Sequence, residues 1–368
     1  MMNNRIAVVL GCNIHWAPYY YRYEKLLLQN KVDFDVIMWN REGRKEKIKG
    51  NLLEFSMPDT SNDHNPRKVG KFFSYANFVR KMIKNGNYSK VVFLGLQGCA
   101  LTLNAGFFSH HYKRQYWVDI RDYHYEWFKP YYMLEKLAID NSFYAVISSS
   151  GFEEFLPPHK YGKIHNIDPM MEDIVSKYSP IKSEKIRISF IGNVRYYDEN
   201  VRIIDRLGND DRFVLQYFGP GGEQLMAYCK DHGIYNVHFE GAFDQDKTRE
   251  LYEKTDIINN VYGNRLVETK TALSNKLYYS LYLELPILVS PNTYMEKISK
   301  DKSFSISFQD TVDFADKLYL WYENFQRNKP VSGFETLRAE IEENEHNWID
   351  KFQGFILEEG WKSSGLYR

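Results

Sequence analysis

The sequence has little with which to tie itself together covalently. Its 368 residues include three cysteines, Cys12, Cys99 and Cys229, widely spaced and without a CxxC pair. That argues against a disulfide framework and a cysteine-held zinc cluster, and reads as reduced thiols in a cytoplasm. Glycine (22) and proline (12) are too few for a collagen-like or low-complexity chain. No apolar run reaches the roughly 18 residues that a membrane-crossing helix needs, so any membrane contact is expected at the surface. The opening "MMNNRIAVVLG" has one positive charge, a short apolar run and no small-residue cleavage site, and reads as a first strand rather than a leader. Net charge is missing too: 48 Lys+Arg face 48 Asp+Glu, which argues against nucleic acid as a partner held by a broadly basic surface.

What is present is the composition of a globular protein, 43% hydrophobic and 26% charged, with length for two domains. The charge is uneven. Residues 1–185 carry 26 Lys+Arg against 19 Asp+Glu, and residues 186–368 carry 22 against 29. The imbalance suits two domains with different partners, or simple drift of surface charge. Short apolar runs at 6–10, 34–38, 90–96, 115–120 and 144–148 alternate with helical periodicity at 20–29 and 72–85. Strands separated by helices imply a parallel sheet covered on both faces. A proline-bearing stretch, 157–185, interrupts the alternation apart from a short helix near 171–177. The pattern then restarts with strands at 186–191, 213–218, 237–240, 256–260 and 286–289, and helices at 247–254 and 273–283. The fold class expected is α/β, two doubly wound Rossmann-like domains in series, followed by a charged helical tail over 334–361 with an apolar face at Trp348, Phe352 and Phe355.

Several blocks carry a resemblance. "ISFIGNVRYYDEN" (188–200) looks like a strand and glycine loop that open a donor domain, and "FEGAF" (239–243) with "LYEKTDIINNVYG" (251–263) like the block that follows. "NKLYYSLYLELPILVS" (275–290) looks like the helix and strand that grip a nucleotide diphosphate. "YWVDIRDYHYE" (116–126) and "AVISSSGFEEFL" (145–156) look like late blocks of an acceptor domain. In this order, over nearly the whole chain, they resemble GT-B glycosyltransferases, in particular the retaining, family 4-like group that assembles bacterial capsule and O-antigen. The resemblance implies a GT-B fold with two Rossmann-like domains facing a cleft. It places an acceptor domain at 1–165, a linker at 166–185, a donor domain at 186–345 and a helical tail at 346–368 that packs back toward the first domain.

It also implies a function: transfer of a hexosyl-type sugar from a nucleotide diphosphate to a saccharide, lipid-linked, in surface polysaccharide biosynthesis. The protein would be cytoplasmic, peripheral on the inner face of the cell membrane. A sugar-nucleotide epimerase of the same fold, or a non-catalytic nucleotide-sugar-binding subunit, are the alternatives. A diphosphate needs oriented N–H groups and fixed cations. Gly11 and Asn13 after the first strand, Gly192, Asn193 and Arg195 after strand 186–191, Gly219 in "FGPGG", and Ser274, Asn275 and Lys276 at a helix start are the candidates. Arg195 and Lys276 could equally be ordinary surface residues. The paired glutamates of retaining relatives are absent, since Tyr279 and Thr271 occupy those positions and Glu268 stands one turn earlier. For chemistry on the acceptor hydroxyl, Asp122 with His124 as partner, next to Arg121, is the candidate base in an inverting mechanism, and in a retaining one these groups would only position the sugar. Asp119 and Arg121 could instead form an ion pair that holds the turn. Asp33-Phe-Asp35 and Asp244-Gln-Asp246 read as structural, and no metal or other cofactor is expected. Arg41, Arg44, Lys45, Lys47 and Lys49, with Arg67, Lys68, Lys71, Arg80, Lys81 and Lys84 among Phe72, Phe73, Tyr75 and Phe78, suit an anionic membrane surface, or a solvated face over a core stripe.

Overall fold

The computed structural model describes residues 5–59, 66–103 and 111–358. The chain divides into two compact units: 1–165 with 344–368, and 166–343.

In the first unit the elements run β1 (Ile6–Leu10), α1 (Tyr20–Gln29), β2 (Phe34–Asn40), β3 (Asn51–Ser56), α2 (Pro66–Gly86), β4 (Lys90–Leu94), α3 (Leu96–Leu103), β5 (Tyr116–Ile120), α4 (Lys129–Asp140), β6 (Tyr144–Ile147) and β7 (Gly162–Lys163). The sheet order is β3-β2-β1-β4-β5-β6-β7, all parallel. Strands β1, β2, β4 and β5 are buried along their whole length, as strands covered on both faces must be. The second unit runs α5 (Met171–Lys177), β8 (Ile186–Ile191), α6 (Tyr197–Leu207), β9 (Phe213–Phe218), α7 (Glu223–Asp231), β10 (Val237–Glu240), α8 (Thr248–Glu253), β11 (Ile257–Asn260), α9 (Val267–Thr271), α10 (Asn275–Leu283), β12 (Ile287–Val289), α11 (Tyr294–Lys300), β13 (Ser305–Ser307), α12 (Phe314–Arg327) and the first part of α13 (Val331–Leu357). Its parallel sheet has the order β10-β9-β8-β11-β12-β13.

Both sheets reverse strand order beside their first strand, at β1/β4 and at β8/β11. Loops leaving the carboxyl ends of those strands diverge to opposite faces, and α/β sheets bind ligands at such points. The fold thus puts the segments after β1 and β8 where a ligand site is expected.

The second half of α13 builds the first unit's core. Trp348, Phe352, Phe355 and Ile356 pack with Tyr23, Leu27 and Trp117. The Tyr23 ring lies 4.9 Å from Phe352 and 5.4 Å from Trp348. Truncating Phe352 to alanine would cost about 3–5 kcal/mol. A polar hub fixes the same helix: the His165 N–H donates to Glu345 at 2.7 Å, and Arg22 pairs with Glu345 while donating to the His165 carbonyl at 2.6 Å. Residues 166–185 belong to the second unit, where Met171 and Ile174 enter the core and the Ile181 N–H bonds the Glu253 carbonyl at 2.9 Å.

The structure adds elements that the periodicity did not reveal. β3 is an edge strand with exposed Asn51, Glu54 and Ser56, and its Leu52 and Phe55 lie directly after the basic stretch 41–50, read only for its charge. α2 starts earlier than expected, α3, α4, α6, α7, α9 and α11 fill gaps between the strands, and α12 follows the last strand. The expected helix over 247–254 begins with a 3-10 turn, so only Thr248–Glu253 is α-helical. The tail helix spans Val331–Leu357, and the part expected up to 361 lies outside the described residues. Among the described residues no helix is long and apolar enough to cross a membrane.

Candidate functional site

In the second unit, β8 gives way to Gly192, whose φ of +125° only glycine adopts readily. The Gly192 N–H returns to the Phe218 carbonyl at 2.8 Å, drawing together the loops after β8 and β9. Gly219 is required by that approach: a Cβ there would stand 2.1 Å from the Gly192 carbonyl oxygen, and its φ is +132°. The turn 193–196 is then pinned by the fully buried Asn200, which donates to the Arg195 carbonyl at 2.7 Å. Asn193 and Arg195 project to solvent.

Across the strand reversal, Ser274 caps α10 by accepting the Lys276 N–H on its hydroxyl at 3.3 Å, with Asn275 as the first helical residue. The Lys276 side chain is buried to 6% exposure, yet it reaches the loop after β8: a Cβ on Gly192 would lie 3.8 Å from its Nζ. Nζ donates to the Tyr262 hydroxyl at 2.7 Å and sits 4.2 Å from the Phe190 ring centre and 5.2 Å from that of Tyr262. Among the described residues no carboxylate pairs with it. Burial would raise the Tyr262 phenol, but Lys276, Ser274 and Arg195 together hold it below the ordinary tyrosine range. The Tyr196 ring lies 5.0 Å from Tyr262, and the exposed Glu268 is close enough to act on the Tyr196 phenol, which burial chiefly raises.

The fold therefore gathers Gly192, Arg195, Glu268, Ser274 and Lys276 around Tyr262, Tyr196 and Phe190. Sequence reasoning missed those three rings. Their only signal is that each lies in a strand flanking the reversal or in the loop that leaves it. Tyr279 and Thr271 are committed elsewhere: Tyr279 bonds Asp168 and stacks on Tyr252 at 4.3 Å, and the Thr271 hydroxyl bonds the Val267 carbonyl at 2.7 Å.

In the first unit, Gly11 opens the loop after β1 and nothing would crowd a Cβ on it. Asn13 is fully buried, and its amide is spent within the unit. It donates to Asn40 at 2.9 Å and Glu46 at 2.8 Å, and accepts the Arg41 N–H at 2.9 Å. Arg121 forms a bidentate ion pair with the fully buried Asp119 at 2.6 and 2.7 Å, and lies 4.2 Å over the Tyr19 ring. Asp119 also accepts from the Tyr23 hydroxyl at 2.8 Å. Arg121 thus braces the end of β5, while Asp122 and His124 stand in the loop beyond it. Burial holds the His124 imidazole below the ordinary histidine range, with Asp122 opposing and Arg41 assisting. Burial likewise pushes the neighbouring Cys12 thiol up to about 11. The His124 backbone N–H is held by the Glu126 carboxylate at 2.6 Å. A neutral imidazole beside a carboxylate can accept a proton from a hydroxyl.

Of the basic segment, Arg41 lies 4.3 Å over Trp39, and Lys71 pairs with Asp59. The side chains of Arg67 and Lys68 lie outside the described residues. Asp35 pairs with Arg5, and Asp244 precedes a 3-10 turn. Among the described residues, no group of three or more His, Cys, Asp or Glu side chains is placed to hold a metal ion.

No protein-family description and no curated protein matches the sequence. Solved structures do match. Sucrose-phosphate synthase from Thermosynechococcus elongatus aligns with a TM-score of 0.68 at 10% identity, covering 95% of this chain and 98% of its own. HepE from Anabaena, in complex with UDP and glucose, gives 0.64 at 10%, covering 95% and 99%. A putative UDP-N-acetylglucosamine 2-epimerase from Listeria monocytogenes gives 0.54 at 11%, covering 90% of each chain. With its two parallel-sheet Rossmann-like domains and terminal helix, the chain has the GT-B fold that the sequence blocks implied. At these identities the likeness establishes the fold alone.

Proposed function

We propose that the protein is a glycosyltransferase that takes a sugar from a nucleotide diphosphate held by the second unit. One observation carries the reading. Lys276 is a buried ammonium with no carboxylate partner among the described residues, placed at the strand reversal beside a glycine turn and a capped helix start. A buried cation without a counter-ion is costly unless an anion completes it. A diphosphate does so, and Arg195 with the N-terminal end of the α10 dipole offsets the rest of its charge without a bound metal.

The acceptor in this reading is a saccharide hydroxyl on the first unit. In an inverting transfer Asp122, with His124 as its partner, takes its proton as its oxygen bonds the sugar's anomeric carbon; in a retaining one the two groups position the sugar. The bond from that carbon to the phosphate oxygen breaks, and the diphosphate leaves with the electron pair. We further propose that the saccharide is lipid-linked and belongs to bacterial surface polysaccharide, met at the cytoplasmic face of the membrane. Exposed Trp127, Phe128, Met133 and Leu137 on the first unit support a surface that lies against lipid.

The likeness to an epimerase keeps a second reading, in which the donor sugar reacts without an acceptor. Nucleotide-sugar turnover followed by NMR separates the two. Release of nucleoside diphosphate only when a saccharide acceptor is present supports the transferase. Appearance of an isomerised nucleotide sugar in its absence would replace that reading with the epimerase. Binding without turnover across donors and acceptors would leave a binding subunit.

A further inference from the structure

Lys276 has four rotatable bonds, and a free ammonium on such a stem does not aim itself. In this protein one group aims it. The Tyr262 hydroxyl accepts a hydrogen bond from Nζ at 2.7 Å, the only hydrogen bond of that ammonium among the described residues, so two of its three N–H groups are left without a hydrogen-bond partner. Tyr262 is itself rigidly placed. Its backbone N–H and that of Gly263 both donate to the Ser290 hydroxyl, at 3.0 and 2.8 Å, which fixes the chain as it leaves β11. Its ring stands 5.0 Å from Tyr196 and 5.8 Å from Phe190. The Tyr196 side of that contact comes from the turn after β8, where Tyr196 takes a left-handed φ of +60°. Both loops at the strand reversal therefore converge on one phenol.

We propose that Tyr262 is a positioning residue that holds the Lys276 ammonium against the loop after β8, so that the diphosphate of a nucleotide donor meets a cation already aimed at it. This rests on the donor reading given above. A phosphate oxygen takes the two remaining N–H groups, while the phenol keeps the third. The arrangement is a cost met before binding: orienting the lysine does not have to be supplied by the ligand. It also explains why a tyrosine stands here rather than a carboxylate. A carboxylate would neutralise the ammonium and repel the incoming anion, whereas a neutral phenol leaves the charge unspent.

The groups facing the phenol are Lys276 and Ser274 from α10, Arg195 and Tyr196 from the turn after β8, and Tyr252 from α8. Two cations hold it below the ordinary tyrosine range, so its ionisation reports on them. A diphosphate bound to Lys276 brings negative charge beside the phenol and raises its titration.

The test uses the full-length protein, uridine and guanosine diphosphates as probes, and the variants Tyr262→Phe and Lys276→Met. Phenylalanine keeps the ring packing and removes only the hydroxyl. Calorimetric titration should show Tyr262→Phe binding the preferred diphosphate roughly tenfold more weakly than wild type, the scale of one hydrogen bond to a charged group. Lys276→Met should lose binding altogether. At a pH just below the ordinary tyrosine range, adding the diphosphate should lower the phenolate absorbance near 295 nm in the wild type and leave Tyr262→Phe unchanged. A residue that merely supported the fold would not give that signal. If the wild type and Tyr262→Phe bind equally and give the same absorbance response while Lys276→Met loses binding, the donor reading stands and the role of Tyr262 is overturned. If the wild type binds neither diphosphate, the donor reading falls and this proposal falls with it.

Discussion

Glu135 offers a sharp test of the electrostatics of the first unit. It lies on the inner face of α4 at 0% exposure, and neither carboxylate oxygen has a hydrogen-bond partner among the described residues. Burial, with the Glu126 carboxylate close by, pushes its pKa from 4.5 to about 9, against a smaller opposing effect of Tyr131. The folded protein therefore keeps a proton that the unfolded chain has released. The sign follows: Glu135 carries no penalty below pH 4.5, and stability is lost progressively as pH rises from 4.5 toward 9. At about 1.4 kcal/mol per pH unit, the loss at pH 7 is on the order of 3 kcal/mol, and it grows until the pKa is passed. Glu135→Gln keeps the shape and cannot ionise. Its amide brings its own cost if a hydrogen bond is lacking, but that cost does not change with pH. Urea unfolding at pH 5, 7 and 9 is the assay, following the transition of the first unit. The variant should gain on the wild type steadily with pH, by several kcal/mol between pH 5 and pH 9. A stability difference that stays constant across that range would refute the argument, because it would mean that Glu135 does not hold its proton.

Other outcomes follow from the same geometry. Burial outweighs Glu345 to hold His165 at about 4, so its contribution is present above pH 6.5 and lost as pH falls toward 4. His165→Asn should flatten that acid limb by up to roughly 3 kcal/mol in pH-dependent unfolding. Arg121→Ala leaves the Asp119 carboxylate buried and unpaired, at a cost of about 3–5 kcal/mol. Its thermal unfolding temperature should drop sharply, and a variant as stable as wild type would show that Arg121 is not a brace. Gly219→Ala forces a Cβ against the Gly192 carbonyl at a strained φ, and should destabilise the second unit by about 2 kcal/mol or more while weakening nucleotide binding.

The parallel sheets were legible in the sequence because their central strands are apolar runs, uninterrupted or alternating. Ile6–Leu10 and Val91–Leu94 are uninterrupted runs, and Ile186–Ile191 alternates Ile, Ile and Phe with Arg187 and Ser189 before closing on Ile191. Edge strand β3 was not, since exposed Asn51 and Glu54 break its pattern and the neighbouring lysines draw attention to charge. α4 hid for a related reason. Its apolar residues are split between a buried face with Tyr131, Ala138 and Ile139 and an exposed one with Met133 and Leu137, so no single stripe marks it. In the site, Lys276 and Arg195 stood out through their sequence blocks. Tyr262 did not, because one tyrosine among 29 carries little information, and its partner is 14 residues away, brought back to it only by the loops on either side of α9. The paired reading of Asp119 and Arg121 needed the structure, since spacing alone leaves a salt bridge and a catalytic group indistinguishable.

The account depends on the second unit's claim on a nucleotide diphosphate. The direct measurement is the melting temperature of the wild type and of Lys276→Ala across a panel of nucleoside diphosphates and nucleotide sugars. A ligand that binds only the folded state raises the melting temperature by mass action. The expected result is a clear rise for the wild type with at least one of these ligands and none for Lys276→Ala. An equal rise in both proteins, or no rise with any of them, would contradict it.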